Sequence, residues 1–239
     1  MALGRSGLTR IYGGVGKKIS FDETVGIYDE ILIDGVLDRG VMSRVRSIGG
    51  EFFACGWGSQ IYKFQNGSWI DLLGDSHNFG RIAFLDINGV SSDDMYAIGM
   101  DGVILHFNGK IWSRLDSPTN INLFAIDVMS DGSVFICGAE GVLLYGDWRG
   151  LRFIGDGLGG NLWDVAIFEN KAYVVSPKSP TGLLEYDGVW SPVDFAIVDR
   201  PTTHRLCKNS DVFWSVGEYD LLKYVCGRWV RVICPENEK

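Results

Sequence analysis

Proline, histidine and positive charge are all scarce in this sequence, which has 6 Pro, 3 His, and 22 Lys and Arg against 30 Asp and Glu. The resulting net charge of −8 works against nucleic acid, whose phosphates call for Lys and Arg, and against an anionic membrane surface. It suits a basic protein partner, because opposite fields speed encounter; plain solubility accounts for the same charge. No apolar run reaches the roughly 18–20 residues of a membrane span, and "MALGRSGLTR" has no apolar signal core. The five cysteines, Cys55, Cys137, Cys207, Cys226 and Cys234, are odd in number and form no CxxC pair. Cys55 and Cys137 stand in apolar stretches, where a thiol behaves as a small hydrophobe. A reduced, cytoplasmic protein is the expectation.

The chemistry-bearing motifs are missing as well. There is no Gly-x-Ser-x-Gly and no recognisable Cys–His arrangement. His77, His106 and His204 fall in different parts of the chain with no ligand spacing, so no metal site is expected. "GGVGKK" at 13–18 has the wrong spacing for a phosphate loop. "DINGVSSDD" at 86–94 fails the spacing of a calcium loop. No cofactor is implied. No stretch sustains a 3.6-residue apolar period, so almost no helix is expected.

Glycine, in contrast, is plentiful at 32 residues, and it falls in a pattern. The residues that open a late strand form the series Tyr28, Trp69, Trp112, Leu151, Trp190, Trp229, with gaps of 41, 43, 39, 39 and 39. An aliphatic residue followed three later by an aromatic precedes most of them: Ile61 and Phe64, Ile104 and Phe107, Leu183 and Tyr186, Leu221 and Tyr224. Before these come "FFACG", "YAIG", "VFICG" and "FWSVG", and before those "SRVRSI", "IAFLDI", "LFAIDV" and "LWDVAI". Asn-Gly and Asp-Gly pairs in "QNGS", "FNGK", "SDGS" and "YDGV" mark hairpins. Each unit of about 40 residues therefore reads as four short strands, the period of a β-propeller blade. Six units, at about 1–40, 41–80, 81–120, 121–160, 161–200 and 201–239, predict an all-β, single-domain, six-bladed β-propeller. Its first blade, where "YGGVGKKI" matches "ACGWGSQI", is irregular, with the innermost strand missing or very short. The alternative is five blades with an N-terminal extension.

The phrase "DGVILHFNGKIWSRL" (101–115), echoed by "EYDLLKYVCGRWVRV", resembles the blades of bacterial propellers of the BNR and photosystem-assembly type. The likeness is to the repeat and covers about 200 residues. It implies architecture and carries over no catalytic residue. No unit has the strict Asp-box, and neither the WD40 nor the kelch pattern is present.

Propellers bind through the connections between blades and the turns between second and third strands. On those segments stand Trp57, Phe79, Met100, Leu158 and Tyr219, interleaved with Asp101, Glu140, Glu218 and Asp220. They are the candidate partner-binding residues, apolar anchors in an acidic surround, though such aromatics can equally fold inward. Arg44, Arg81, Trp163, His204 and Arg205 stand near inner-strand starts and are candidates for a channel mouth. The run Asp22, Glu23, Asp29, Glu30, Asp34, Asp38 reads as charge that blocks edge pairing, or as a strip for a basic partner. The expected function is non-catalytic binding of another protein. One version is a bacterial immunity protein that binds and inhibits a toxin enzyme. A carbohydrate-active propeller, with Arg44, Arg46, Arg81 and Arg205 gathering a carboxylate, and an assembly scaffold are the alternatives.

Overall fold

The Asn-Gly and Asp-Gly pairs of "QNGS", "FNGK", "SDGS" and "YDGV" each stand in a turn between two antiparallel strands. At Asn66 and Gly67 both φ angles are positive, 52° and 81°, which a two-residue hairpin turn of type I′ requires. The computed structural model describes residues 2–3, 8–12, 28–74, 78–155, 157–197 and 199–233. "GGVGKK", Asp22, Glu23, His77 and Cys234 lie outside the described residues.

The protein is an all-β propeller with five four-stranded blades, each a simple antiparallel meander. Blade A comprises β4 (Met42–Ile48), β5 (Glu51–Gly56), β6 (Gln60–Gln65) and β7 (Ser68–Asp71). Blade B runs from Phe84 to Arg114, blade C from Leu123 to Phe153, blade D from Val165 to Pro192, and blade E from Arg205 to Arg231. The expected sixth blade is corrected to a three-stranded sheet of β1 (Ala2–Leu3), β2 (Leu8–Tyr12) and β3 (Tyr28–Leu32). This is the arrangement of five blades with an N-terminal extension. The reason lies in the path of the chain after β3. Gly35 turns it at φ 68° into the four-residue helix α1 (Val36–Arg39). Ile33 and Val36 are then buried against Met42, Ala54 and Tyr62 of blade A.

The chain divides into two compact units, residues 1–100 with 104–114, and residues 101–103 with 115–239. In both, the Trp of the repeat pairs with the aromatic directly across the outer hairpin: Phe64 with Trp69, Phe107 with Trp112, Tyr186 with Trp190, Tyr224 with Trp229. Their ring centroids lie 4.7–5.3 Å apart. Such pairs contribute about 0.5–1.5 kcal/mol each beyond area burial. In the second unit the aromatics also reach the next blade: Phe135 of blade C meets Tyr186 of blade D, and Phe168 of blade D stacks on Phe213 of blade E.

Buried carboxylates on inner strands tie the blades of each unit together. In the first unit Asp86 of blade B is fully buried and accepts Arg46 Nε at 3.1 Å and Arg46 Nη2 at 2.7 Å from blade A. Arg44 Nε lies 3.1 Å from the same carboxylate. In the second unit Asp127 of blade C accepts the Ile167 amide of blade D at 2.6 Å and pairs with Lys208 of blade E. Asp164, at the start of blade D, accepts the Leu206 amide of blade E at 3.0 Å.

Glycine closes the second strand of four blades for a steric reason. A Cβ at Gly56, Gly99, Gly138 or Gly217 would lie 2.1–2.6 Å from a backbone oxygen of its own blade's inner strand or of the segment leading into it. In blades A, B and C the pairing register shifts beside that glycine.

Candidate functional site

The turns between second and third strands carry most of the candidate binding residues. Their backbone is unusual. Asp101 and Glu140 sit in the left-handed region at φ 54° and 56°, each followed by a glycine that is also positive. The Val142 amide bonds back to the Ala139 carbonyl at 2.9 Å, closing a tight turn over Ala139–Gly141. Left-handed geometry costs a residue with a Cβ roughly 1–2 kcal/mol, less for Asp than for Glu. Surrounding bonds hold it. The Asp101 amide donates to Asn122 Oδ1 at 3.0 Å and the Glu140 amide to Asn161 Oδ1 at 3.3 Å. The next residues, Gly102 and Gly141, have no room for a side chain, with Cβ positions 2.0 Å from the Thr119 oxygen and 2.5 Å from the Leu158 oxygen. Glu140 is exposed, whereas the equivalent position in blade A is a glycine, Gly58. Glu140→Gly is therefore expected to raise stability by about 1 kcal/mol, seen as a melting temperature roughly 2–4 °C higher in calorimetry.

Two aromatics stand out from these turns. Trp57 is 41% exposed and Tyr219 is 80% exposed. The Tyr219 amide donates to Thr202 Oγ1 at 3.0 Å, and its hydroxyl donates to Glu218 at 2.7 Å. That carboxylate holds the phenol above its ordinary pKa. Asp220, beside it, is partly buried and accepts the Thr202 amide at 2.7 Å, with Arg231 Nε 2.9 Å from its other oxygen. Its contribution is to fix the turn. Met100 and Leu158 are half-buried, and Leu158 packs on the core shared by blades C and D. Phe79 is half-buried and lines a cleft of about 600 Å³ with Phe107 and Trp112 in the first unit.

The channel-mouth candidates are spread over both units. Arg44 and Arg46 face Asp86, and Arg81 donates to the Arg39 carbonyl at 3.0 Å. In the second unit Trp163 is 39% exposed and stacks on Phe124, with centroids 5.2 Å apart and an angle of 12°. Arg205 Nη1 donates to the Trp163 carbonyl at 3.1 Å and lies 4.0 Å from Asp164. His204 is exposed, and its backbone amide bonds to Val216. His106 is buried, 2.8 Å from Asp94. Cys55 and Cys137 are buried, and burial raises the Cys55 thiol well above its ordinary pKa.

Sequence reasoning missed the pinning residues. Asn122 and Asn161 are 39 apart in "NLF" and "NLW", a repeat inside the connections. Asp86 and Asp127 interrupt apolar strands and Asp164 directly precedes one, a signal for buried carboxylates that was present in "FLDI", "AIDV" and "LWDV".

A five-bladed propeller whose hydrogen-bonded turns project aromatics and carboxylates presents a surface suited to a protein partner. No family model matches the chain. It is 33% identical over 216 residues to the immune protein Tsi7 of Pseudomonas aeruginosa, an alignment covering 86% of this chain and 70% of that protein. The chain belongs to the Tsi7 family of immune proteins. Among solved structures it resembles YCF48 bound to D1 peptide, with 14% identity, a TM-score of 0.59, and coverage of 82% of this chain and 68% of that one. It also resembles the extracellular domain of a one-component system from B. thetaiotaomicron, with 15% identity, a TM-score of 0.63, and coverage of 85% and 29%. The computationally designed protein Ika8 has 10% identity, a TM-score of 0.61, and coverage of 85% and 64%. These three likenesses concern the fold alone.

Proposed function

We propose that this chain is an immunity protein of the cytoplasm that binds a toxin enzyme and blocks it, and that the turns between second and third strands make the contact. The observation that carries this reading is the 33% identity to an immune protein across most of the chain. The turns support the location. Trp57 and Tyr219 are exposed aromatics on backbones already fixed by hydrogen bonds, so little entropy is lost when a partner closes on them. Large aromatics of this kind dominate binding energy at protein interfaces. The partner is basic: Asp101, Glu140 and Glu218 are exposed carboxylates on the same turns, and the chain carries a net −8. Association then slows as salt rises.

The test is co-expression with the products of neighbouring genes, followed by pull-down and titration of the purified pair. Trp57→Ala and Tyr219→Ala are each expected to weaken binding by about 2 kcal/mol, roughly 30-fold, and the double variant to lose protection of the host. Unchanged affinity in both single variants would remove these turns from the interface.

A further inference from the structure

The residues that fail to build a sixth blade have another task. We infer that residues 33–40 form a strap that fixes the Trp57 turn, with Arg39 as its positioning residue. This rests on the reading of Trp57 as a contact with the partner.

The strap is anchored at one end by Ile33 and Val36, exposed by only 1% and 2%. At its other end the Gly40 amide bonds to the Val36 carbonyl at 3.0 Å, and α1 delivers Arg39 beneath the turn. There the guanidinium holds two carbonyls and a carboxylate, with the Tyr62 hydroxyl 3.5 Å from Nη1. Its Nε donates to the Gly58 carbonyl at 3.3 Å, its Nη2 donates to the Ser59 carbonyl at 2.8 Å, and its Nη1 pairs with Asp71. Gln60 Nε2 joins the two segments, donating to the Trp57 carbonyl at 2.6 Å and the Gly40 carbonyl at 3.3 Å. The backbones touch: a Cβ at Gly58 would lie 2.1 Å from the Arg39 oxygen, and one at Gly40 would lie 2.8 Å from Trp57 Cβ. The carbonyls of Gly58 and Ser59 are thus held from outside the turn's own sequence by one side chain, and that of Trp57 by Gln60 at the turn's end. The indole remains substantially exposed.

Only a planar fork reaches two carbonyls and a carboxylate together; a Lys ammonium is a point charge on a flexible stem. Arg39→Lys therefore keeps the charge and the stem and removes the geometry. A turn that is loose before binding must be ordered during it, which weakens the complex chiefly through faster dissociation.

The experiment uses the full chain labelled with 5-fluorotryptophan, with the Trp57 fluorine signal assigned by its loss in Trp57→Phe. Arg39→Lys is expected to shift or broaden the Trp57 signal and leave the other tryptophan signals in place. It should also raise the dissociation rate from the toxin captured by this chain about tenfold, and change that rate less than twofold when Trp57 is already Ala. An unmoved Trp57 signal overturns the inference, and so does an equal rise in dissociation with and without Trp57. Should Arg39→Lys fail to fold, Asp71→Asn loosens the same fork from the other side; the Asp71 side chain also caps the Leu73 and Gly74 amides at 3.0 Å, which Asn can still accept. The two readings fail separately. A shifted signal together with wild-type toxin affinity in Trp57→Ala retains the strap and sinks the recognition role of the turn.

Discussion

Asp86→Ala is expected to lower the melting temperature by roughly 6–20 °C, a loss of about 3–5 kcal/mol. The carboxylate is fully buried and receives two bonds from Arg46, a third contact from Arg44 and the Ile87 amide at 2.9 Å. Removing it leaves two guanidiniums facing each other without an anion, and like charges brought together in a poorly hydrated place repel. Their side chains are 19% and 26% exposed, so water reaches them and the loss falls toward the low end of the range. Asp86→Asn, which keeps an acceptor for the Ile87 amide, loses less. Adding Arg46→Met to Asp86→Ala recovers part of the loss, because an unpaired charge is then gone as well. Thermal unfolding of the three variants gives the comparison. A melting temperature for Asp86→Ala within about 2 °C of wild type would mean that this carboxylate does not hold blades A and B together.

Gly138→Ala is expected to cost about 3 kcal/mol, equivalent to roughly 6–12 °C. The obstacle is not conformational, since Gly138 is extended at φ −160°. It is a contact: a Cβ would stand 2.1 Å from the Asn122 oxygen and 3.1 Å from Leu123 Cα. Both are backbone, and the Asn122 carbonyl accepts the Ala139 amide at 2.9 Å, so the strand must move and that bond must stretch. Moving it also displaces Asn122, whose side chain holds the Asp101 amide. Gly150→Ala, which meets nothing within 4 Å, is the control and should stay within about 0.5 kcal/mol of wild type. Equal melting temperatures for the two variants would refute the steric account.

The parts of this structure that are local were legible in the sequence. Strand ends lie beside Asn-Gly and Asp-Gly pairs, and the aromatic-to-Trp spacing is a cross-strand pair such as Phe107 with Trp112. The anchor Tyr28 does open a strand. The count of blades was not legible. The path of the chain beyond Tyr28–Leu32 is settled by Gly35 turning it and by Ile33 and Val36 packing on Met42 and Tyr62, contacts that no local pattern announces. The candidate site divides in the same way. Trp57, Asp101, Glu140 and Tyr219 could be placed on turns because each turn has its own glycine or polar signal. The groups that fix those turns come from residues 17 to 21 positions away, such as Arg39, Asn122, Asn161 and Thr202. Phe79 and Leu158 look the same as Trp57 in sequence, and only packing separates them.

Hydrogen–deuterium exchange on the complex with the partner captured by this chain tests the central claim most directly. Slower exchange at residues 57–59, 139–142 and 217–220, with the outer hairpin turns 65–68, 187–190 and 225–228 unchanged, is the result this account requires. Protection confined to the outer hairpin turns, with the three inner segments exchanging as in the free protein, would contradict it.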